Sequence, residues 1–448
     1  MAWVGAMLRV RGTVLAGAVL LGLAAWTQGA AAQAAGPGTQ PGAQPLPEYR
    51  VAEGAKAVTG RPSTADAPLL DVGTVYEDTL APGERFYRLS LDSASSVYLS
   101  AVLRPPAGTK VGYSDGLEVE IMTAAGRTCP YNAGRSTFGY DPVPLAAVGH
   151  RRLQEDSDCQ AAGTYYAKVT REAPKGSPQA AWPVELLLQR EPAPAGTTAP
   201  TTAAPSVRPS ASPTLPTADP VARTGGTGFN DARAVDAGVW RDELRPGQTR
   251  FYRVPLDWGQ KIGVGAEIAK ARITKQYASA SNGLTVSLYT PYRGLVDSAD
   301  ASYDGSQAAV TLPTTVPVAY ENRWSDVNEV RPVRVAGWYY VAVTMGGKVA
   351  EFTEDATPVP LTLRLDVRGD AGKGPAYREP LGAGGFGVAP ADRAAAKDGL
   401  TVPEAVAAED TRSTMRLVAG AGFGTGTVLL LGLGAWFLLA RRGGAARP

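Results

Sequence analysis

Residues 73–92 read GTVYEDTLAPGERFYRLSLD, and residues 238–257 read GVWRDELRPGQTRFYRVPLD. The stretches share Leu-x-Pro-Gly, then Phe-Tyr-Arg, then a closing Leu-Asp. The correspondence continues downstream: GLEVEI at 116–121 matches GLTVSL at 283–288, and AGTYY at 162–166 matches AGWYY at 336–340. The separation between the copies grows by only a few residues across these anchors, which is the signature of a duplicated domain with small loop insertions.

Each shared block alternates with the period of a half-buried strand. In the first copy Tyr87, Leu89 and Leu91 fall on one face, then Val97, Leu99, Ala101 and Leu103, then Leu117, Val119 and Ile121. In the second, Tyr252, Val254 and Leu256 do so, then Ile262, Val264, Ala266 and Ile268, then Leu284, Val286 and Leu288. No comparable stretch has a helical period. The expected fold class is all-β: two tandem antiparallel β-sandwich (jelly-roll-like) domains, at residues 70–190 and 229–368, plus a C-terminal transmembrane helix. Pro82-Gly83 and Pro246-Gly247 are expected turns, and Pro255 within a predicted strand places that strand at a sheet edge.

The remaining segments read as connectors. Residues 191–228 are rich in Pro, Thr, Ala and Ser with almost no large apolar side chain, the composition of an extended spacer that buries no core. Residues 35–69 form an N-terminal tail by the same reading, and residues 369–416 a stalk in which Pro403 and many glycines oppose a continuous helix.

Both ends carry targeting patterns. Arg9 and Arg11, an apolar run to Trp26 and the small residues Ala30 to Ala34 have the layout of a signal peptide over residues 1–34. Residues 417–440 lack any charge and are long enough to span a bilayer as a helix, with Arg441, Arg442 and Arg447 in a cytoplasmic tail at 441–448. No Leu-Pro-x-Thr-Gly pentapeptide precedes this run, so it reads as a retained anchor. The expected location is the cell membrane, single-pass, with the bulk of the chain extracellular. Small residues at Gly420, Gly422, Gly424 and Gly426 would permit helix association.

Composition narrows the chemistry. The chain of 448 residues has 44 basic and 42 acidic side chains, one histidine and two cysteines. One histidine and two cysteines leave no room for a multi-histidine metal site or a four-thiolate cluster. Five of the basic residues lie in the leader and the inner tail, so the exported part is mildly acidic, with no basic footprint for nucleic acid. The Ala, Gly, Pro and Arg bias points to a high-GC bacterium.

The order Leu-x-Pro-Gly, Phe-Tyr-Arg, Gly-Leu-x-Val and Ala-Gly-x-Tyr-Tyr resembles the bacterial pre-peptidase C-terminal type of β-sandwich. It is also similar to the sandwich modules of actinobacterial envelope proteins that carry a von Willebrand A domain. The resemblance covers about residues 70–190 and 231–367 and implies a fold; no protease or von Willebrand A domain is apparent, so the activity of such neighbours does not carry over.

Candidate chemistry is sparse. Gly112-Tyr113-Ser114-Asp115-Gly116 fits the nucleophile pattern G-x-S-x-G with His150 downstream. In the second copy the first glycine is Ser279, so the shared Ser-Asp/Asn-Gly reads better as a turn entering a strand, and His150 as a lone loop histidine. Cys129 and Cys159, in an oxidising compartment, are expected to form a disulfide. Asp297, Asp300 and Asp304 with Gly305 could offer oxygens to calcium, but a solvated acidic loop explains them as well. Trp240, Trp258 and Trp324 could form a sugar platform if exposed, or core if not. No catalytic, metal or cofactor residues are assigned. The expected role is a noncatalytic, membrane-anchored extracellular binding or assembly protein of the bacterial envelope, with another envelope protein as partner. The alternative is a cell-wall or extracellular carbohydrate-binding module.

Overall fold

The structure, a computed structural model, describes residues 45–411 and 433–436, apart from 107, 130–133, 140, 154–158, 197–203, 208–209 and 355–356. The first half contains β1 (Lys56–Ala57), β2 (Val75–Leu80), β3 (Gly83–Leu91), β4 (Ser96–Leu103), β5 (Gly116–Thr123), β6 (Gly134–Thr137), β7 (Leu145–Arg151), β8 (Gly163–Glu172) and β9 (Trp182–Glu191). The second contains β10 (Val221–Ala222), β11 (Arg233–Ala234), β12 (Gly238–Leu244), β13 (Thr249–Leu256), β14 (Lys261–Ile268), β15 (Ala280–Tyr289), β16 (Leu295–Tyr303), β17 (Ala308–Leu312), β18 (Gly337–Met345) and β19 (Val359–Arg368).

These strands make four sheets whose order repeats. The first half pairs β1-β2-β9-β4-β7 with β3-β8-β5-β6, and the second pairs β10-β12-β19-β14-β17 with β11-β13-β18-β15-β16. Sequence neighbours such as β2 and β3, or β12 and β13, lie in different sheets, so the Pro-Gly turns carry the chain from one layer to the other. The alternating residues meet between the layers: Tyr87, Leu99, Val119, Val169 and Leu186 in one half, Tyr252, Val264, Val286, Val341 and Leu363 in the other, all buried. Burial of such side chains contributes roughly 1.5–3 kcal/mol each.

Pro255 falls where the edge argument requires it. Phe251 exchanges backbone hydrogen bonds with Gly226, and the Arg253 carbonyl accepts from the Val235 N–H at 2.9 Å. Residues 251, 253 and 255 therefore direct their backbone groups outward, and the two-residue strand β11 stops at Ala234, opposite Arg253. The missing N–H of proline lies on that outer side.

The connectors depart from expectation. The segment read as a stalk folds back: Tyr377 and Glu379 bond to Glu191 and Arg190, and Phe386 is buried. Helix α1 (Pro390–Asp398) lies against β13, with Asp392 accepting from Trp338 Nε1 at 3.0 Å and Ala395 and Ala396 buried. The spacer runs over the second sandwich, adding β10 beside β12. Phe386 packs into the core cluster of the second sandwich. The expected leader at residues 1–34 and residues 417–432 and 437–440 of the expected membrane helix lie outside the described residues. Among the described residues no helix is long and apolar enough to cross a membrane.

Candidate functional site

The outer face of β4, β7 and β9 packs against the second sandwich. All eight residues of β4 are buried, because Val97, Leu99, Ala101 and Leu103 face the first core while Tyr98, Ser100 and Val102 face the seam. Val102 and Ala146 meet Phe229, Phe251 and Ala342 across it. The Phe229 ring is surrounded by Phe251, Tyr289 and Tyr340 at centroid distances of 5.0, 5.4 and 5.1 Å. Tyr98 stacks on Tyr292 at 4.2 Å, with the Arg334 guanidinium 5.1 Å from one ring and 5.3 Å from the other.

Two buried ion pairs close the seam. Arg293 Nη1 lies 2.5 Å from Glu185 Oε1, and Asn230 bridges them by accepting from Arg293 Nη2 at 2.9 Å and donating to Glu185 Oε2 at 2.7 Å. Arg323 Nη2 lies 2.7 Å from Glu191 Oε1, and the same carboxylate accepts from the hydroxyls of Tyr98 at 2.7 Å and Tyr377 at 2.9 Å. Burial alone would raise the Glu191 pKa; the charge of Arg323 and the hydrogen bonds from Arg323, Tyr98 and Tyr377 outweigh it and hold the carboxyl below its ordinary value. A buried pair with its remaining lone pairs occupied sets register and makes separation costly.

The seam opens at one end into a cleft of about 360 Å³. Its floor is the outer face of β13, β18, β15 and β16. There the register aligns Thr249, Thr344, Thr285 and Asp300 in one row, and Phe251, Ala342, Ser287 and Ser298 in the next. Oγ1 of Thr249 and Thr344 are 2.8 Å apart, as are Oγ of Ser287 and Ser298. The opposite wall comes from the first sandwich around Arg135, Phe138 and Asp141. Asp141 Oδ1 accepts from the Gly347 N–H at 2.9 Å and pins the two walls together. The cleft is thus a hydroxyl-lined surface with aromatic neighbours, able to exchange hydrogen bonds with a neutral polar ligand.

The residues singled out in the sequence do not converge. Ser114 is exposed in the turn before β5, where buried Asp115 accepts from Gly112 N–H at 2.8 Å and Ser177 Oγ at 2.5 Å. A strand follows this turn, where a nucleophile elbow needs a helix. His150 is a β7 residue, not a loop residue. It sits opposite Tyr98, and burial followed by the charges of Arg334, Arg152 and Arg331 pushes its pKa well down. Asp297 and Asp300 lie along β16 and Asp304 in the following turn, spread over about 20 Å at strand rise. Among the described residues no cluster of three or more His, Cys, Asp or Glu could hold a metal. Trp240 and Trp258 are buried and Trp324 half-buried, so these three form no open platform. Cys129 and Cys159 are joined in a disulfide and buried. Glu185, Glu191, Arg293 and Arg323 went unread; the signal available was a strand apolar on both faces, 96–103, and glutamates set in the apolar run 182–191.

No protein-family model matches the chain, and no curated protein matches it. Similar solved structures include the pre-peptidase C-terminal domain of collagenase from Bacillus anthracis, at 12% identity, covering 28% of this chain and 95% of that one with a TM-score of 0.19. The CBM22-1-CBM22-2 tandem of Paenibacillus barcinonensis Xyn10C is 14% identical, covering 66% and 92%, with a TM-score of 0.18. The ANX1 ectodomain of Arabidopsis thaliana is 10% identical, covering 69% and 92%, also at 0.18.

Proposed function

We propose that this chain is a noncatalytic extracellular binding protein of the bacterial envelope, exported by its leader and held at the membrane by residues 417–440, that engages another envelope protein through the cleft between its sandwiches. The observation that carries this reading is that the cleft is composite: its floor belongs to one sandwich and its wall to the other, and buried ion pairs hold the two in one register. A preorganised surface of this kind lowers the ordering cost of association. The buried disulfide supports an oxidising, exported location. No catalytic role is assigned to Ser114 or His150.

The rows of Thr and Ser hydroxyls favour one second reading, a cell-wall or extracellular glycan in the same cleft. Both are tested by capturing the full-length protein from its own cells after mild crosslinking, beside a Ser287→Trp variant whose indole fills the cleft floor. One stoichiometric envelope protein retained by the parent and lost by the variant is the expected result. Glycan alone, lost by the variant, transfers the cleft to the second reading, and identical recovery from both chains overturns the assignment of the cleft.

A further inference from the structure

The duplication sets up a comparison between equivalent strands. β4 pairs with β9 through Leu99↔Leu188 and Ala101↔Leu186, and β14 pairs with β19 through Val264↔Leu365 and Ala266↔Leu363. The outward positions of β4 are Tyr98 and Ser100, which carry the seam. Their equivalents in β14 are Gly263 and Gly265. On the neighbouring strand the seam-facing Glu191 is replaced by Arg368, and Leu187 by Arg364. The same face that docks a whole sandwich in the first copy is, in the second, a bare trench flanked by guanidinium groups.

That trench is filled by the chain's own connector. A Cβ at Gly263 would stand 2.3 Å from Pro213 Cβ, and one at Gly265 would stand 2.3 Å from Leu215 Cδ1. Only residues without a side chain allow so close an approach. The connector is extended here, with Pro213 and Leu215 half-buried and Ser212 and Thr214 exposed. It is held through its carbonyls: Ala211 accepts from the Thr314 N–H at 3.0 Å, Thr214 from Arg368 Nη2 at 3.3 Å and Pro216 from Arg364 Nη1 at 3.0 Å. Side chains in pockets at alternate positions and donors on the carbonyls are how an extended, proline-stiffened peptide is recognised.

We propose that the outer face of β14 and β19 is a binding site for an extended Pro-x-Leu-Pro peptide, closed in cis by residues 211–216. The site lies on the sheet layer of the second sandwich that faces away from the cleft, so it is independent of the ligand assigned there. A tethered occupant competes at an effective concentration on the order of millimolar, so an outside peptide of the same chemistry enters only when the cis segment lets go.

The test uses a fluorescent peptide of residues 210–218 titrated into the full chain and into its Pro213→Ser/Leu215→Ser variant. Both substitutions fall in an extended surface segment, and circular dichroism with the unfolding midpoint checks that the variant is folded. The expected result is at least about tenfold tighter binding to the variant than to the parent, set by removal of the competitor. Adding Gly265→Leu to the variant should abolish that binding. Equal binding to parent and variant, no binding to the folded variant, or binding that survives Gly265→Leu would each overturn the proposal.

Discussion

Replacing Glu191 by Gln tests whether the seam holds the two sandwiches as one unit. Both oxygens of Glu191 are in use: Oε1 accepts from Arg323 Nη2 and Tyr377, and Oε2 from Tyr98 at 2.7 Å and Arg323 Nη1 at 3.3 Å. An amide keeps the shape but sets an NH₂ against one pair of donors and leaves the Arg323 charge, 3% exposed, without a counterion. Removing one partner of such a pair costs about 3–5 kcal/mol, a large share of the roughly 5–15 kcal/mol that separates a folded domain from its unfolded chain. Urea unfolding of the protein, followed by tryptophan fluorescence, should show a cooperative transition for the parent and an earlier, broader or split one for the variant. The pH dependence has a definite sign. The folded pKa of Glu191 lies below its unfolded value of about 4.3, so its contribution is present above that value and is lost as pH falls through the folded pKa. The difference between parent and variant should therefore be constant near neutrality and shrink below about pH 4. A loss under about 1 kcal/mol, or a difference unchanged down to pH 2, would refute the reasoning.

Two further perturbations separate local from seam effects. Replacing both Cys129 and Cys159 by Ser opens a loop spanning a separation of 30 residues, for which loop-closure entropy predicts a loss of about 3–4 kcal/mol, read as a lower unfolding midpoint; a parent treated with reductant under native conditions should resist reduction, since both sulfurs are buried. His150 is held neutral by burial and by Arg334, Arg152 and Arg331, so its folded pKa lies below its unfolded value of about 6.5. Stability should then fall, by at most about 1.4 kcal/mol per pH unit, as pH drops below that value; His150→Gln should flatten the slope between about pH 6.5 and 5, and an unchanged slope would show that the imidazole does not set it.

The alternation of Tyr87, Leu89 and Leu91, and of Tyr252, Val254 and Leu256, reports which face of a strand is buried, because a strand's side-chain period is two and each layer has one core to face. It therefore exposed the β class, while the repeated anchors exposed the duplication and the Pro-Gly pairs the turns. It could not report what buries the second face of β4. Tyr98, Ser100 and Val102 are covered by a surface more than a hundred residues away in sequence; the local pattern of 96–103, apolar on both faces, marks a second burial but does not say what covers it. The same holds for the charges. Glu185 and Glu191 acquire their partners only when the fold brings Arg293 and Arg323 opposite them.

By itself, the sequence determined the layered β architecture, its repetition, the pairing partners available to two cysteines and the chemistry excluded by a single histidine, all of which follow from local period and composition. Only the tertiary structure decided that the sandwiches share a buried seam, that a hydroxyl-lined cleft opens from it, and that a connector rich in Pro and Thr fills a trench left by Gly263 and Gly265. Those features depend on juxtaposing distant faces, and burial of a face is a property of what covers it.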